Sequence, residues 1–536
     1  MTETSACSGR LQQDGTSAGG RKSLLAWLFI AGLGLAAVGL VTVVTSKYGP
    51  GLTRDSVQYI SGAVSLVSGN GLTSYTGEPI TLWPPLFSAL LASLGLAGVE
   101  PVSAARCVNA AAFGLIVSLS AWLFLGHVRS RVLAVTGSVS VLVSAPLVRV
   151  CSIALSEPIF IVLCIAFYII ALRYMKSGAP SLLFLLSAIT ALGCLQRYIG
   201  LSLVLAGVAL ILVRGDTGLL PTLRRAFLFG GISTVPLALW LLRNHWVSST
   251  LTGPRRGFAT EPMQTLGHAL VTMVSILRVI GGWCSPATDI SIKSIRFGIA
   301  ALGAILALKA FANIRKVGRM RQLLHPLAVF WAAYMMALFS AKLVDSSLRD
   351  LERFMLPVYV PTLLIGFKLA DSLPGREKRS SCVLRSHRLV LALCMVWLVL
   401  VPGRNLIELV STCVQSGVEG YGTTEWRESA LVDWLRRNPL SGRIYTNAPE
   451  AMYILTGIRA EKGPSNSAIN DSDERANASD TSIYLLCFAP RDRAVPCDFA
   501  YIRHLFELRP IVTLSDGVVY LLLRRSPEAS AREPTN

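Results

Sequence analysis

Arg54-Asp55-Ser56-Val57-Gln58-Tyr59, then Gly69-Asn70-Gly71-Leu72, then Trp83-Pro84-Pro85-Leu86: the reading of this chain turns on that stretch. It is polar and rich in turn residues, yet apolar segments flank it, a run at 24–45 before it and a Pro-initiated helix after it. A carboxylate at Asp55, just outside hydrocarbon, is hard to explain as packing. The stretch therefore reads as a working loop at a membrane border.

The composition agrees. Of 536 residues, 52% are hydrophobic and 15% charged, with a mean hydropathy of +0.55. A soluble chain carries about 25% charge. The apolar residues fall in runs of about twenty, the length that crosses roughly 30 Å of hydrocarbon. The first run follows Arg21-Lys22, is too long for a secretory core segment and lacks a small-residue cleavage site, so it is expected to be retained.

Spans are expected at 24–45, 102–125, 132–150, 158–172, 181–195, 198–213, 226–242, 297–312, 323–340, 355–370 and 389–403, about eleven in all. With the N-terminus in the cytoplasm, the inward segments hold 19 Lys and Arg in 76 residues and the outward ones 13 in 136. That bias obeys the positive-inside rule. The net charge of +19 is then a topology signal first and an attraction to anionic lipid headgroups second, and no nucleic-acid partner is expected. The helix after Trp83 decides the count. As a twelfth span it would put His127-Val128-Arg129-Ser130-Arg131 outside, so it is expected to lie in, or dip into, the outer interface.

Three parts follow from these patterns: a Ser/Gly/Thr-rich disordered tail at 1–20, a membrane domain at 21–403, and an extracytoplasmic domain at 404–536. Long outward loops at 46–101, 243–296 and 341–354 suggest function, since a bundle that only packs has no use for them. The middle loop holds Pro254-Arg255-Arg256-Gly257 and an apolar stretch at 266–283 that suits a second interfacial helix. In the tail, 424–437 has an amphipathic helical pattern capped by Thr423 or Thr424. Strands are expected at 443–446 and 483–488, and short helices at 451–455 and 499–508. A hairpin at 511–514 and 518–523 should turn at Ser515-Asp516-Gly517, and 461–480 should be a mobile loop. The fold class is thus a membrane all-α polytopic bundle with a small C-terminal α/β domain.

The 11 cysteines show no CxxC pair and no zinc spacing. Cys487 and Cys497 lie in the outward tail, where an oxidising compartment would let them pair; the sequence leaves that open. Asn477-Ala478-Ser479 matches a glycosylation sequon of a kind common by chance. No P-loop, dinucleotide fingerprint or nucleophile elbow is present.

Two acids and three cations are the candidates for chemistry. Asp55 could serve as a base, because partial dehydration raises a carboxylate's proton affinity; the alternatives are pairing with Arg54 or capping a helix at 56–66. Glu157, in Ser156-Glu157-Pro158, stands at an outer span end, where Pro158 suits the first helical position and Ser156 could cap. The helix dipole alone would favour an acid there, while a chemical role would be to orient an acceptor or hold a metal. Arg197, Arg243 and Arg353 also fall at outer span ends, where the alternative to anion binding is snorkelling to the interface.

In their order and sidedness, Asp55, Trp83-Pro84-Pro85-Leu86, Ser156-Glu157, Leu195-Gln196-Arg197-Tyr198 and Glu352-Arg353-Phe354-Met355 resemble the GT-C superfamily of membrane glycosyltransferases. The similar branch is that of the protein O-mannosyltransferases and the aminoarabinose transferase. The resemblance covers about 24–370. It implies a glycosyltransferase that moves a sugar from a polyprenyl-phosphate-linked donor to a glycan, lipid or protein acceptor at the outer face of a bacterial cytoplasmic membrane. It further implies Asp55 and Glu157 as catalytic acids and Arg197, Arg243 and Arg353 around the donor phosphate. Tyr59, Trp83 and Tyr198 would position substrate. Asp55-Ser56 stands where many members have two acids, which weakens the case for a divalent cation, the one cofactor left open. Trp83 stands where many have Lys or Arg. A secondary transporter or a non-enzymatic scaffold are the rivals, but the charges gather at span ends rather than the midplane and no internal repeat is visible.

Overall fold

The computed structural model describes residues 14–215, 218–253, 262–283, 318–344, 350–371, 381–463, 482–489 and 506–524, with a few positions between 499 and 503. The span expected at 297–312, the Arg255-Arg256 stretch, Cys497, the sequon at Asn477 and nearly all of the loop expected at 461–480 lie outside the described residues. The chain forms two compact units: residues 1–44, 81–87 and 107–411, and residues 45–80, 88–106 and 412–536. The division at 403 expected from the sequence differs from this one, because a continuous helix, Ser381–Ser416, runs through that point. The loop that carries Asp55 belongs with the C-terminal domain.

Helices make up the first unit: α1 (Asp14–Val44), most of α4 (Pro101–His127; α2 and α3 follow below), α5 (Arg131–Leu142), α6 (Ala145–Cys151), α7 (Glu157–Ser177) and α8 (Pro180–Gln196). They continue with α9 (Leu201–Arg214), α10 (Leu219–Ser248), α11 (Pro262–Gly282), α12 (Gly318–Val344), α13 (Leu351–Met355), α14 (Tyr359–Asp371) and α15 (Ser381–Ser416). Because α1 begins at Asp14, residues 14–20 are helical rather than disordered. Among the described residues six helices are long and apolar enough to cross a membrane, or seven if the bent pair α5–α6 is one span. The segments at 180–196 and 198–214 are apolar but only about 25 Å long at 1.5 Å per residue.

Large apolar side chains such as Leu24, Trp27, Phe227 and Trp246 point outward. In water such a surface would aggregate; in lipid it is the solvated face. The helices instead meet through small residues. A Cβ on Gly34 of α1 would overlap Ser118 Oγ, and one on Gly114 of α4 would sit 2.7 Å from Val38 Cγ2, so these two helices approach at backbone distance. The multi-pass character of the chain rests on this inversion of the usual inside and outside.

In the second unit α2 (Arg54–Val67) follows the first span. The Pro-Pro helix α3 (Leu86–Leu96) is short, roughly 16 Å, about half the hydrocarbon thickness. Helices α16 (Thr424–Arg427), α17 (Ala430–Arg437) and α18 (Pro449–Thr456) lead into a five-stranded sheet. Its strands are β1 (Arg443–Thr446), β2 (Glu461–Lys462), β3 (Ile483–Phe488), β4 (Phe506–Leu514) and β5 (Gly517–Arg524), in the order β2-β1-β3-β5-β4. β1 pairs in parallel with β2 and β3, while β3–β5 and β4–β5 are antiparallel. Tyr445, Leu485, Cys487, Ile502, Phe506 and Leu522 form a core cluster.

Two expectations in this domain are corrected. The amphipathic run at 424–437 is two helices, because Ser429 caps α17 and its hydroxyl is also bonded by Asp516 at the β4–β5 turn. The helix expected to reach 508 gives way to β4 at Phe506, whose partner on β5 is Arg524. Cys487 is disulfide-bonded.

Candidate active site

Glu157 opens α7, with Pro158 behind it in the first turn. Its side chain is only 2% exposed and takes two ion pairs on one oxygen: Arg197 Nη1 at 2.6 Å and Arg353 Nε at 2.7 Å. The arginine side chains are themselves 13% and 16% exposed. Ser156 does not cap α7; its hydroxyl accepts from Arg197 Nη1 at 3.0 Å, and its carbonyl accepts from Gln196 Nε2 at 2.8 Å. The ring of Phe354 lies against both guanidinium groups, at 5.1 and 5.2 Å, and is fixed by Tyr334, whose hydroxyl donates to the Phe354 carbonyl at 2.6 Å. Two arginines thus share one oxygen of a buried carboxylate.

Arg197 reaches this group because the chain breaks between α8 and α9. Arg197 is extended, a short 3-10 turn Tyr198–Gly200 follows, and α9 resumes. Gly200 makes the break possible: a Cβ there would lie 2.4 Å from the Gly193 carbonyl oxygen. Arg353 arrives through α13, capped by the Asp350 carboxylate.

A second network joins Tyr198, Arg243 and the segment that carries Trp83. Asn244, fully buried at the end of α10, donates from Nδ2 to the carbonyls of Leu251 (2.9 Å) and Thr81 (3.4 Å) and to the Tyr198 hydroxyl (3.3 Å). Its Oδ1 accepts from Arg243 Nη1 at 3.1 Å. The Tyr198 hydroxyl donates to the Thr81 carbonyl at 2.8 Å and accepts from Trp240 Nε1 at 3.1 Å. Arg243 also stacks on Trp240, 4.8 Å from the ring centroid. Gly253, at φ +74°, packs against the Leu82 backbone, where a Cβ would sit at 3.1 Å. The half-buried Trp83 is therefore carried on a segment anchored from two sides.

In the second unit Asp55 lies in the first turn of α2 and is half-buried. It is not the cap. Thr53 caps α2 in a reciprocal arrangement with Ser56: Ser56 N–H donates to Thr53 Oγ1 at 3.3 Å and Thr53 N–H to Ser56 Oγ at 2.9 Å. Capping is thus removed as the explanation of Asp55. Tyr59, one turn on, is buried in the face of α2.

The sequence placed Glu157 among the catalytic acids and Arg197 and Arg353 around a phosphate. The structure brings those three together, with the carboxylate ion-paired to both guanidinium groups. Arg243 and Tyr198 share a different cluster, and Asn244, its hub, was missed although it adjoins Arg243. The signal was a neutral polar side chain between Arg243 and His245 at the end of a long apolar run. Among the described residues no three His, Cys, Asp or Glu side chains come together to hold a metal ion.

No protein-family model matches the chain, and no curated protein is similar to it in sequence. Solved structures are similar to it. ArnT from Cupriavidus metallidurans bound to undecaprenyl phosphate aligns over 91% of this chain and 97% of its own, with a TM-score of 0.60 and 11% identity. The fold is that of ArnT. The apo state of the same ArnT gives 0.59 and 10% over the same shares. The architecture expected from the sequence, a helical membrane bundle with a small C-terminal sheet domain, is the one found.

Proposed function

We propose that this chain is a glycosyltransferase that takes its sugar from a polyprenyl-phosphate-linked donor at the outer face of a bacterial cytoplasmic membrane. The observation that carries the reading is the ArnT likeness over nearly the whole of both chains, one of them holding undecaprenyl phosphate. At this identity the likeness speaks to fold, so the chemistry is argued from the side chains. In the proposed step the acceptor's hydroxyl or amine attacks the anomeric carbon and the bond from that carbon to the phosphate oxygen breaks. The bonding pair leaves with the phosphate, and Asp55 takes the acceptor's proton. A single displacement needs no covalent intermediate.

The leaving phosphate gains negative charge, and preorganised cations stabilise that charge. Arg243 is the cation best disposed for it, because Trp240 stacks on its guanidinium and Asn244 fixes its direction. Arg197 and Arg353, held by Glu157, are the other two cations of the proposed donor site. The acceptor, whether glycan, lipid or protein, is to be read from the product.

The decisive experiment compares lipids and glycans of a deletion strain, by mass spectrometry, with the same strain carrying the wild-type chain or Asp55→Asn. The wild type should restore one sugar-bearing conjugate, and Asp55→Asn should reduce its formation by about 10²- to 10⁴-fold at equal membrane abundance. Restoration by Asp55→Asn at the wild-type rate would remove Asp55 as the base.

A further inference from the structure

The segment that carries Asp55 is built together with the C-terminal domain. Residues 50–53 run beside residues 419–422, which follow α15. Leu52 N–H donates to the Glu419 carbonyl at 3.0 Å, and Tyr421 N–H donates to the Leu52 carbonyl at 2.8 Å. Gly422 permits that approach, since a Cβ there would lie 2.9 Å from the Pro50 carbonyl oxygen. Thr53 then closes the cap of α2, so a fixed backbone leads from this pairing to Asp55.

Helix α18 adds two side chains on one face, three residues apart. Glu450 Oε1 lies 3.8 Å from Arg54 Nε, and Tyr453 stacks on Tyr75 with ring centroids 5.1 Å apart and planes 25° from parallel. Tyr75 is buried and comes from the loop that follows α2. Burial works against the charge on Arg54, but Glu450 and Tyr421 outweigh it and hold the guanidinium more firmly protonated than usual. An acid in the first turn of α18 is favoured by the helix dipole alone. That explanation asks nothing of Arg54 and predicts no effect on chemistry.

We propose that Glu450 is a positioning residue for Asp55: it holds Arg54, the neighbour of Asp55, and with the Tyr75–Tyr453 stack fixes how α2 presents its first turn. The inference rests on the reading of Asp55 as the base. It makes the C-terminal domain part of the apparatus that aims the base, beyond any part in choosing an acceptor.

The test uses the full chain expressed in the deletion strain, with isolated membranes as the source of acceptor and a total polyprenyl-phosphate lipid extract of that strain titrated as donor. Glu450→Ala should lower kcat about 10- to 100-fold, the cost of a misplaced catalytic group, with half-saturating lipid extract unchanged. Glu450→Asp should recover part of the loss, and Arg54→Gln, on a half-exposed side chain, should reproduce it without affecting folding. In an Asp55→Asn background, Glu450→Ala should cause no further loss. Wild-type kcat in Glu450→Ala or Arg54→Gln, with Asp55→Asn inactive, overturns this inference alone. Multiplying losses in the Asp55→Asn background overturn it too. An active Asp55→Asn chain overturns the functional reading instead.

Discussion

Two ion-paired carboxylates, Glu157 and Glu450, have opposite surroundings. Glu157 is 2% exposed, at 2.6 and 2.7 Å from two arginines that are themselves nearly buried. Glu450 is 16% exposed, at 3.8 Å from an arginine whose side chain is 44% exposed. In the first group each ion has given up its water, and the attraction between the charges offsets that loss only while all partners are present. In the second, water screens the pair and little energy is stored in it. The first group therefore holds the fold of its unit; the second has too little energy to matter except through direction.

The largest expected effect is on the buried group. Glu157→Gln keeps the shape but removes the charge that both guanidinium groups share. It should destabilise the chain by about 3–5 kcal/mol, seen as a large fall in thermal unfolding temperature in detergent. Replacing all three members together with Met and Leu of similar volume should restore much of that stability and none of the activity. Stability close to wild type in Glu157→Gln would show that water reaches the group and would break the contrast drawn above. Next in size is Asn244→Ala. It removes one bond each from the Leu251 and Thr81 carbonyls, the Tyr198 hydroxyl and Arg243 in a buried network, at about 1–3 kcal/mol, and it loosens the segment carrying Trp83. Unfolding temperature and donor KM should both move, because Arg243 loses its aim; a shift in one without the other would separate the two jobs assigned to Asn244.

How far these contrasts were legible in the sequence depends on the range of the interactions. Composition and run length were enough for a membrane bundle, and alternation with an Asp-Gly turn was enough for β3 and the β4–β5 hairpin. Helical periodicity joined α16 to α17, because nothing local reveals that Asp516, 87 residues on, bonds the Ser429 cap. The order of Asp55, Glu157, Arg197 and Arg353 at span ends pointed to a group of charges, yet pairing across distant helices has no sequence signature. The ion pairing of Glu157 with Arg197 and Arg353 was therefore not legible. Arg243 drew attention by its charge, while Asn244, which directs it, carries none.

The smallest expected effect tests the exposed pair. Arg54→Gln should change stability by less than about 1 kcal/mol, as exposed ion pairs generally do, although kcat falls. Salt offers the same test without a mutation. At roughly 0.5 M ionic strength the Debye length shrinks well below its value of about 8 Å in physiological salt, so the Arg54–Glu450 attraction weakens while the buried Glu157 group is barely screened. Wild-type kcat should therefore drop with added salt toward that of Arg54→Gln, the variant itself should be insensitive, and the unfolding temperature of both should stay nearly level. If salt lowered the unfolding temperature of the wild type and not of Arg54→Gln, the exposed pair would be a structural element after all. The difference between the two carboxylates would then be one of degree. If instead kcat alone responds, the weaker pair is the one whose geometry the chemistry uses.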